Sequence, residues 1–178
     1  LPTAPSPAVL EVRVDRAGDQ PWTFLINRVM DQPVEKDDVV HVRFWARSIR
    51  SMTGSARMAA IVEQRQKPHA KLMDLPVTVG SDWQCVDLPF VADRAYPAGE
   101  WQFNIRVGYA AQVLQIAGAE VRNYRKSIDI RSLPRMRLSY DGREPDAPWR
   151  KAALDRIEQI RKGNLTIQVK DGSGTPIP

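Results

Sequence analysis

The chain reads as an all-β protein, a β-sandwich of the jelly-roll kind, on three observations. Apolar and polar residues alternate with a period of two in one short segment after another. Fourteen prolines punctuate those segments, as turns between many short strands require. No helical period interrupts them before the last fifth of the chain. At 178 residues and 43% hydrophobic composition, one domain of ordinary size with an appendage buries a core.

Taken in order, residues 8–15 (AVLEVRVD) predict a first strand with Leu10, Val12 and Val14 inward, ended by AGDQP. Residues 22–29 (WTFLINRV) predict a second, closed by DQPVEKDD. The stretch VVHVRFWARS organises the rest. Val40, Val42, Phe44 and Ala46 fall on one side as a core face, and His41, Arg43, Trp45 and Arg47 fall on the other. Two guanidinium groups flanking an indole direct the search for function to that second face, because exposed aromatics mark binding surfaces. Further strands follow at residues 56–65, 72–80 and 83–90. In residues 101–108 Trp101, Phe103, Ile105 and Val107 share one parity and Gln102, Asn104 and Arg106 the other. Residues 113–124 make a final strand pair, or one strand with a bulge at Gly118.

Beyond this the pattern changes. Residues 125–146 are rich in proline and charge and read as a linker over the surface. Asp146 as N-cap, Pro148 in the first turn, and Trp149, Ala153, Ile157 and Ile160 as a stripe predict a helix that ends by Gly163. LTIQV then alternates as a strand and enters DGSG, a hairpin turn whose second strand is barely begun. The expected organisation is therefore a sandwich at 1–124, a linker at 125–146, and a helix and strand at 147–178 that lead into a further domain.

Composition excludes several classes. No run of about 18 apolar residues exists to span a membrane. The opening LPTAPSPAV lacks the charged and apolar regions of a signal peptide, so the expectation is a removed signal or an excised piece. The net charge of +5 is scattered rather than gathered into a basic stripe, against nucleic-acid binding. A single cysteine, Cys85, excludes an internal disulfide. His41 and His69 are isolated, no G-x-S-x-G elbow or phosphate loop is present, and no catalysis by this chain alone is expected.

Several segments together resemble the carbohydrate-binding modules of families 4, 9 and 22, galactose-binding-like jelly rolls that sit beside polysaccharide-degrading domains. They are VHVRFWARS, PVTVGSDWQCVDLPF, YPAGEWQFNIRVGYAAQVLQIAGAEVRNY, and the strand-then-tryptophan arrangement LEVRVDRAGDQPW. The C-terminal APWRKAALDRIEQIRKGNLTIQVKDGSGTPIP is similar to the segment leading into family 10 glycoside hydrolase domains of bacterial endo-β-1,4-xylanases. The resemblance implies a secreted or periplasmic protein that binds polysaccharide, xylan or a related plant cell-wall β-glycan, and has a C-terminal catalytic domain as its partner. It also implies that the chain begins after the family's first strand, which leaves an open sheet edge.

Sugar-binding sandwiches set aromatic rings against the apolar face of a pyranose and ring it with directional polar groups. Trp22 lies where the family 22 pattern places a stacking tryptophan, and Trp45 is the second candidate. Arg43, Arg47, Asn104 and Arg106 would supply donors and acceptors, Glu63 falls near a family contact position, and Tyr109 and Gln112 follow the late strand at its mouth. The plainer readings make Trp22 a lid over the sandwich end and the arginines cross-strand partners of Asp and Glu. Trp83, Phe90, Trp101 and Phe103 read as core. Related modules hold a structural calcium through an acidic residue in the last strand. Here Gly118 and Ala119 stand near that place, so no cofactor is expected. The alternative to glycan binding is a structural module that packs on and stabilises the catalytic barrel.

Overall fold

Eight strands form where the alternation predicts them: β1 (Val9–Val14), β2 (Leu25–Val29), β3 (Val39–Ser51), β4 (Ala56–Gln64), β5 (Lys71–Val79), β6 (Gln84–Val91), β7 (Trp101–Arg106) and β8 (Gln112–Asn123). The computed structural model describes residues 5–136, 147–163 and 166–177. The chain divides into two compact units, residues 1–139 and 140–178. In the first, the strands make two four-stranded antiparallel sheets, sheet A in the order β1-β8-β3-β6 and sheet B in the order β2-β7-β4-β5. Apart from the β4–β5 hairpin within sheet B, successive strands cross from sheet to sheet in the manner of a jelly roll.

Each strand commits one face to the space between the sheets, as a period of two demands. Val40, Val42, Phe44 and Ala46 of β3 meet Trp101, Phe103 and Ile105 of β7 there, and the Phe44 and Phe103 rings lie 6.2 Å apart. Phe90 joins this core, but Trp83, expected there, does not: it is half-buried on the outer side of sheet A, against the Arg47 guanidinium. Residues 112–123 make one strand, not a pair. Gly118 takes the bulge with φ of 58°, a left-handed conformation that favours glycine.

Two expectations need correction. Trp22 does not lie in a strand: Pro21–Thr23 form a single 3-10 turn, closed by Thr23 N–H donating to Gln20 O at 2.9 Å, and β2 starts only at Leu25. Pro21 sets the turn by fixing its own φ. In the second unit the helix α1 (Pro148–Ile160) forms as predicted, but residues 166–169 do not become a strand. Just beyond them lies one isolated bridge, Lys170 to Pro176, beside which Ile177 N–H donates to Val169 O at 2.8 Å. The Asp171 carboxylate closes the turn by accepting from the Ser173 and Thr175 N–H groups, and Pro176 has no N–H with which to extend a ladder. The expected cap Asp146 lies outside the described residues, and Ala147 stands at the cap position without a side-chain bond. Within the first unit, the beginning of the proline-rich linker runs along the free edge of β6, where Met136 N–H donates to Asp87 O at 2.8 Å.

Two buried carboxylates tie the sandwich. Asp38 accepts from Asn123 Nδ2 at 2.7 Å, Glu35 N–H at 3.0 Å and Arg125 Nη1 at 3.1 Å, joining the loop before β3 to the end of β8. Asp87 of β6 accepts from Arg43 Nε at 2.7 Å. Burial raises the pKa of both, but hydrogen bonds outweigh it, from Asn123 and Glu35 in one case and from Arg43 and Cys85 in the other, and both end below the ordinary carboxylate value. A depressed folded value means that the stabilisation is complete above the unfolded value of about 3.9 and is lost as pH falls through the folded one. Melting temperature is therefore expected to hold level from pH 7 to about pH 5 and to drop below about pH 4. Thermal melts across that range check it, and the acid drop should be shallower in Asp87→Asn.

Candidate functional site

Close backbone approach fixes the position of Trp22. Gly18 N–H donates to Gly108 O at 3.0 Å and Gly108 N–H to Pro21 O at 3.2 Å, so the turn docks on the end of β7. A Cβ on Gly18 would come within 2.7 Å of Thr23 Cβ, and one on Gly108 within 2.9 Å of Pro21 O. These two glycines permit the contact. It leaves Trp22 53% exposed, with the Arg106 guanidinium 5.5 Å from its ring centroid.

Arg106 belongs to the outer face of sheet B, where a hydrogen-bonded relay crosses all four strands. Asn27 of β2 donates through Nδ2 to Gln102 Oε1 at 3.0 Å and to Asn104 Oδ1 at 2.7 Å on β7. Asn104 Nδ2 passes the relay to Glu63 Oε1 of β4 at 2.7 Å, and Gln102 Nε2 reaches the same oxygen at 3.3 Å. Arg106 Nη2 donates to Glu63 Oε2 at 3.1 Å, and Lys71 Nζ of β5 donates to that oxygen too. Glu63 is 4% exposed, and these four donors occupy both its oxygens. Beneath the relay, Ala59 and Ile61 form a closed apolar floor.

Past the end of β7, Tyr109 sits with the Arg57 guanidinium 5.8 Å from its ring centroid. Burial and the charge of Asp74 push the Tyr109 hydroxyl above its usual pKa, so at neutral pH it remains a donor. Gln112 does not face the surface. It is buried and staples β8 to the neighbouring backbone, donating to Arg57 O at 2.7 Å and Val107 O at 2.9 Å while accepting from Arg57 N–H at 2.8 Å. Its role is to hold Arg57 and the β7 end in place.

Trp22, Glu63, Asn104, Arg106 and Tyr109 are thus brought to one face, and Arg43, Trp45 and Arg47 are not. The latter three lie on the outer face of sheet A, on the far side of the core. Arg43 is engaged with Asp87. Arg47 donates to Gln115 Oε1 at 2.9 and 2.8 Å and lies 4.8 Å from the Trp83 ring centroid. Trp45 is half-buried against Gly118, and His41 is buried with Nε2 2.9 Å from Asp87 Oδ1. Burial first, then Asp87, pushes the Cys85 thiol beside them up to about 11. The expectation of one surface built on the β3 row and Trp22 together is therefore corrected: alternation settles which side of a strand a residue takes, but not which sheet the strand joins.

Four members of the sheet B face were not among the predicted site residues: Asn27, Arg57, Lys71 and Gln102. Gln102 shares the parity of Asn104, and that signal was available. Lys71 reaches Glu63 across a register shift in the β4–β5 ladder, which no spacing announces. Gly118 and Ala119 offer no side-chain oxygen to a calcium ion. Among the described residues no three His, Cys, Asp or Glu side chains gather at one place.

Neither a protein-family model nor a curated protein sequence matches the chain. Solved structures do match. A family 4 carbohydrate-binding module superposes at a TM-score of 0.56 with 13% identity, over 65% of this chain and 70% of the other. The ligand-free carbohydrate-binding module of PbXyn10C gives 0.52 and 12%, over 70% and 73%. An arabinose-bound α-L-arabinofuranosidase gives 0.51 and 13%, over 68% of this chain and 21% of that longer one. The two-sheet sandwich of this chain is the fold of carbohydrate-binding modules.

Proposed function

We propose that the chain is a non-catalytic module that binds a plant cell-wall β-glycan, xylan foremost, on the outer face of sheet B. The observation that carries this is the exposed Trp22 ring, backed by Arg106 and continued by a polar row drawn from four strands. A pyranose stacks on the open side of the indole, where it removes apolar C–H surface from water. The groups the relay leaves over, Asn27 Oδ1 and the remaining N–H groups of Lys71 and Arg106, meet the hydroxyls. Glycoside hydrolysis needs two carboxyl groups free to act at the scissile bond. Glu63 has both oxygens committed, which supports a binding role without chemistry. In this reading the protein is secreted, and residues 147–178 join the module to a xylanase-type catalytic domain.

Affinity electrophoresis in gels containing soluble xylan tests the proposal. The chain should be retarded, and Trp22→Ala should weaken binding about tenfold, the equivalent of about 1.4 kcal/mol. Trp45→Ala, altered on the opposite sheet, should run like the parent. Mobility indifferent to polysaccharide in all three proteins would overturn the proposal. It would favour instead a structural module packed on a catalytic domain, a reading that the uncovered Leu154 and Ile160 of α1 support.

A further inference from the structure

The sandwich is not closed on its β1 and β2 side. Leu10 turns inward yet is 49% exposed, and Ile26 is only partly covered. A cavity of about 590 Å³ opens between the two edge strands over Phe103, Ile105 and Ile116. Ser6 lies against Gly118 at the rim, and past it the described backbone is unpaired on that side. β1 pairs with β8 only from Val9 opposite Ala117 to Val14 opposite Gln112. Among the described residues, 118–123 of β8 have a ladder partner on the β3 side alone. An unpaired edge beside uncovered apolar surface is a template for another strand.

The side chains along that edge indicate which strand. Glu120 and Arg122 stand opposite Arg43 and His41 on the outer face of sheet A, while Val121 turns inward to the core and lines the cavity. Antiparallel pairing of this edge with itself, about a two-fold axis at Val121, sets Glu120 of each copy opposite Arg122 of the other. It also sets Val121 opposite Val121 at the cavity mouth. Opposite charges across strands are favourable, and here the match occurs twice because a two-fold interface must be self-complementary.

From this geometry we infer that residues 118–123 are a dimerisation edge, at which a second copy of the chain extends sheet A and covers the opening at Leu10 and Ile26. Sedimentation equilibrium from micromolar to submillimolar concentration tests it on the whole chain. The expected result is a concentration-dependent monomer–dimer equilibrium. Glu120→Arg sets arginine opposite arginine twice and should raise the dimer dissociation constant at least about tenfold. Adding Arg122→Glu swaps the charges and should bring it back to within about threefold of the parent. Arg122 is exposed and Glu120 half-buried, and within one chain they pair with each other at 3.1 Å at the surface, so the fold should survive, and circular dichroism checks it. A monomer at every concentration would overturn the inference, as would a dimer indifferent to Glu120→Arg or a double variant that is not rescued.

Discussion

Glu63→Ala is expected to lower the unfolding free energy by about 3 kcal/mol and the melting temperature by about 10 °C. The carboxylate pairs with both Lys71 and Arg106, and Asn104 and Gln102 donate to it as well. Breaking a buried pair by removing one partner leaves the other charge uncompensated, and here two cations are left facing one another. Lys71 retains some access to water, which places the effect at the lower end of the range for buried pairs. Replacing Glu63, Arg106 and Lys71 together with Leu, Leu and Met should restore much of the loss, since an apolar set of similar volume needs no counterion. It should also abolish retardation by xylan. Thermal melts and affinity gels on the two proteins separate the stabilising role from the binding one, and a melting temperature unchanged in Glu63→Ala would contradict the first.

Trp101→Ala should cost about 3–5 kcal/mol, because Trp101, at the start of β7, is 1% exposed in the core and leaves a large cavity when truncated. Its indole Nε1–H also donates to Gln32 O at 2.7 Å, which fastens the loop between β2 and β3. Trp101→Phe keeps most of the volume and gives up that bond, so about 1–2 kcal/mol is expected. Urea unfolding of the pair tests the division. Equal losses in the two variants would mean that the hydrogen bond, not the packing, dominates.

Both of these residues bear on what a linear reading of the chain reveals. Trp101 was legible as core because Phe103, Ile105 and Val107 repeat its parity, and a strand that buries one face must write that pattern. The β3 core face was legible in the same way. Glu63 was legible only through a family resemblance. Its partners lie 8, 39, 41 and 43 residues away, and only register brings them together. The outward row of β3 misled for a related reason: two sheets have two outer faces, and alternation does not number them. Gln112 occupies the start of a strand like any surface amide, but its amide is turned into the backbone of β4 and the β7 end. Trp22 left its predicted strand because Pro21 and two glycines far apart in sequence make a docking that no local pattern encodes.

The relay from Asn27 to Lys71 has a consequence for how the proposed glycan face can be altered. Its members share acceptors, so exchanging one residue disturbs the orientation of the rest, and the middle of the face behaves as a single rigid plate. Trp22, Tyr109 and Arg57 stand outside that plate, the first two on turns and the last at the start of β4. If the face binds glycan as proposed, adapting it to another sugar falls to these peripheral groups, which can be exchanged while the plate stays intact.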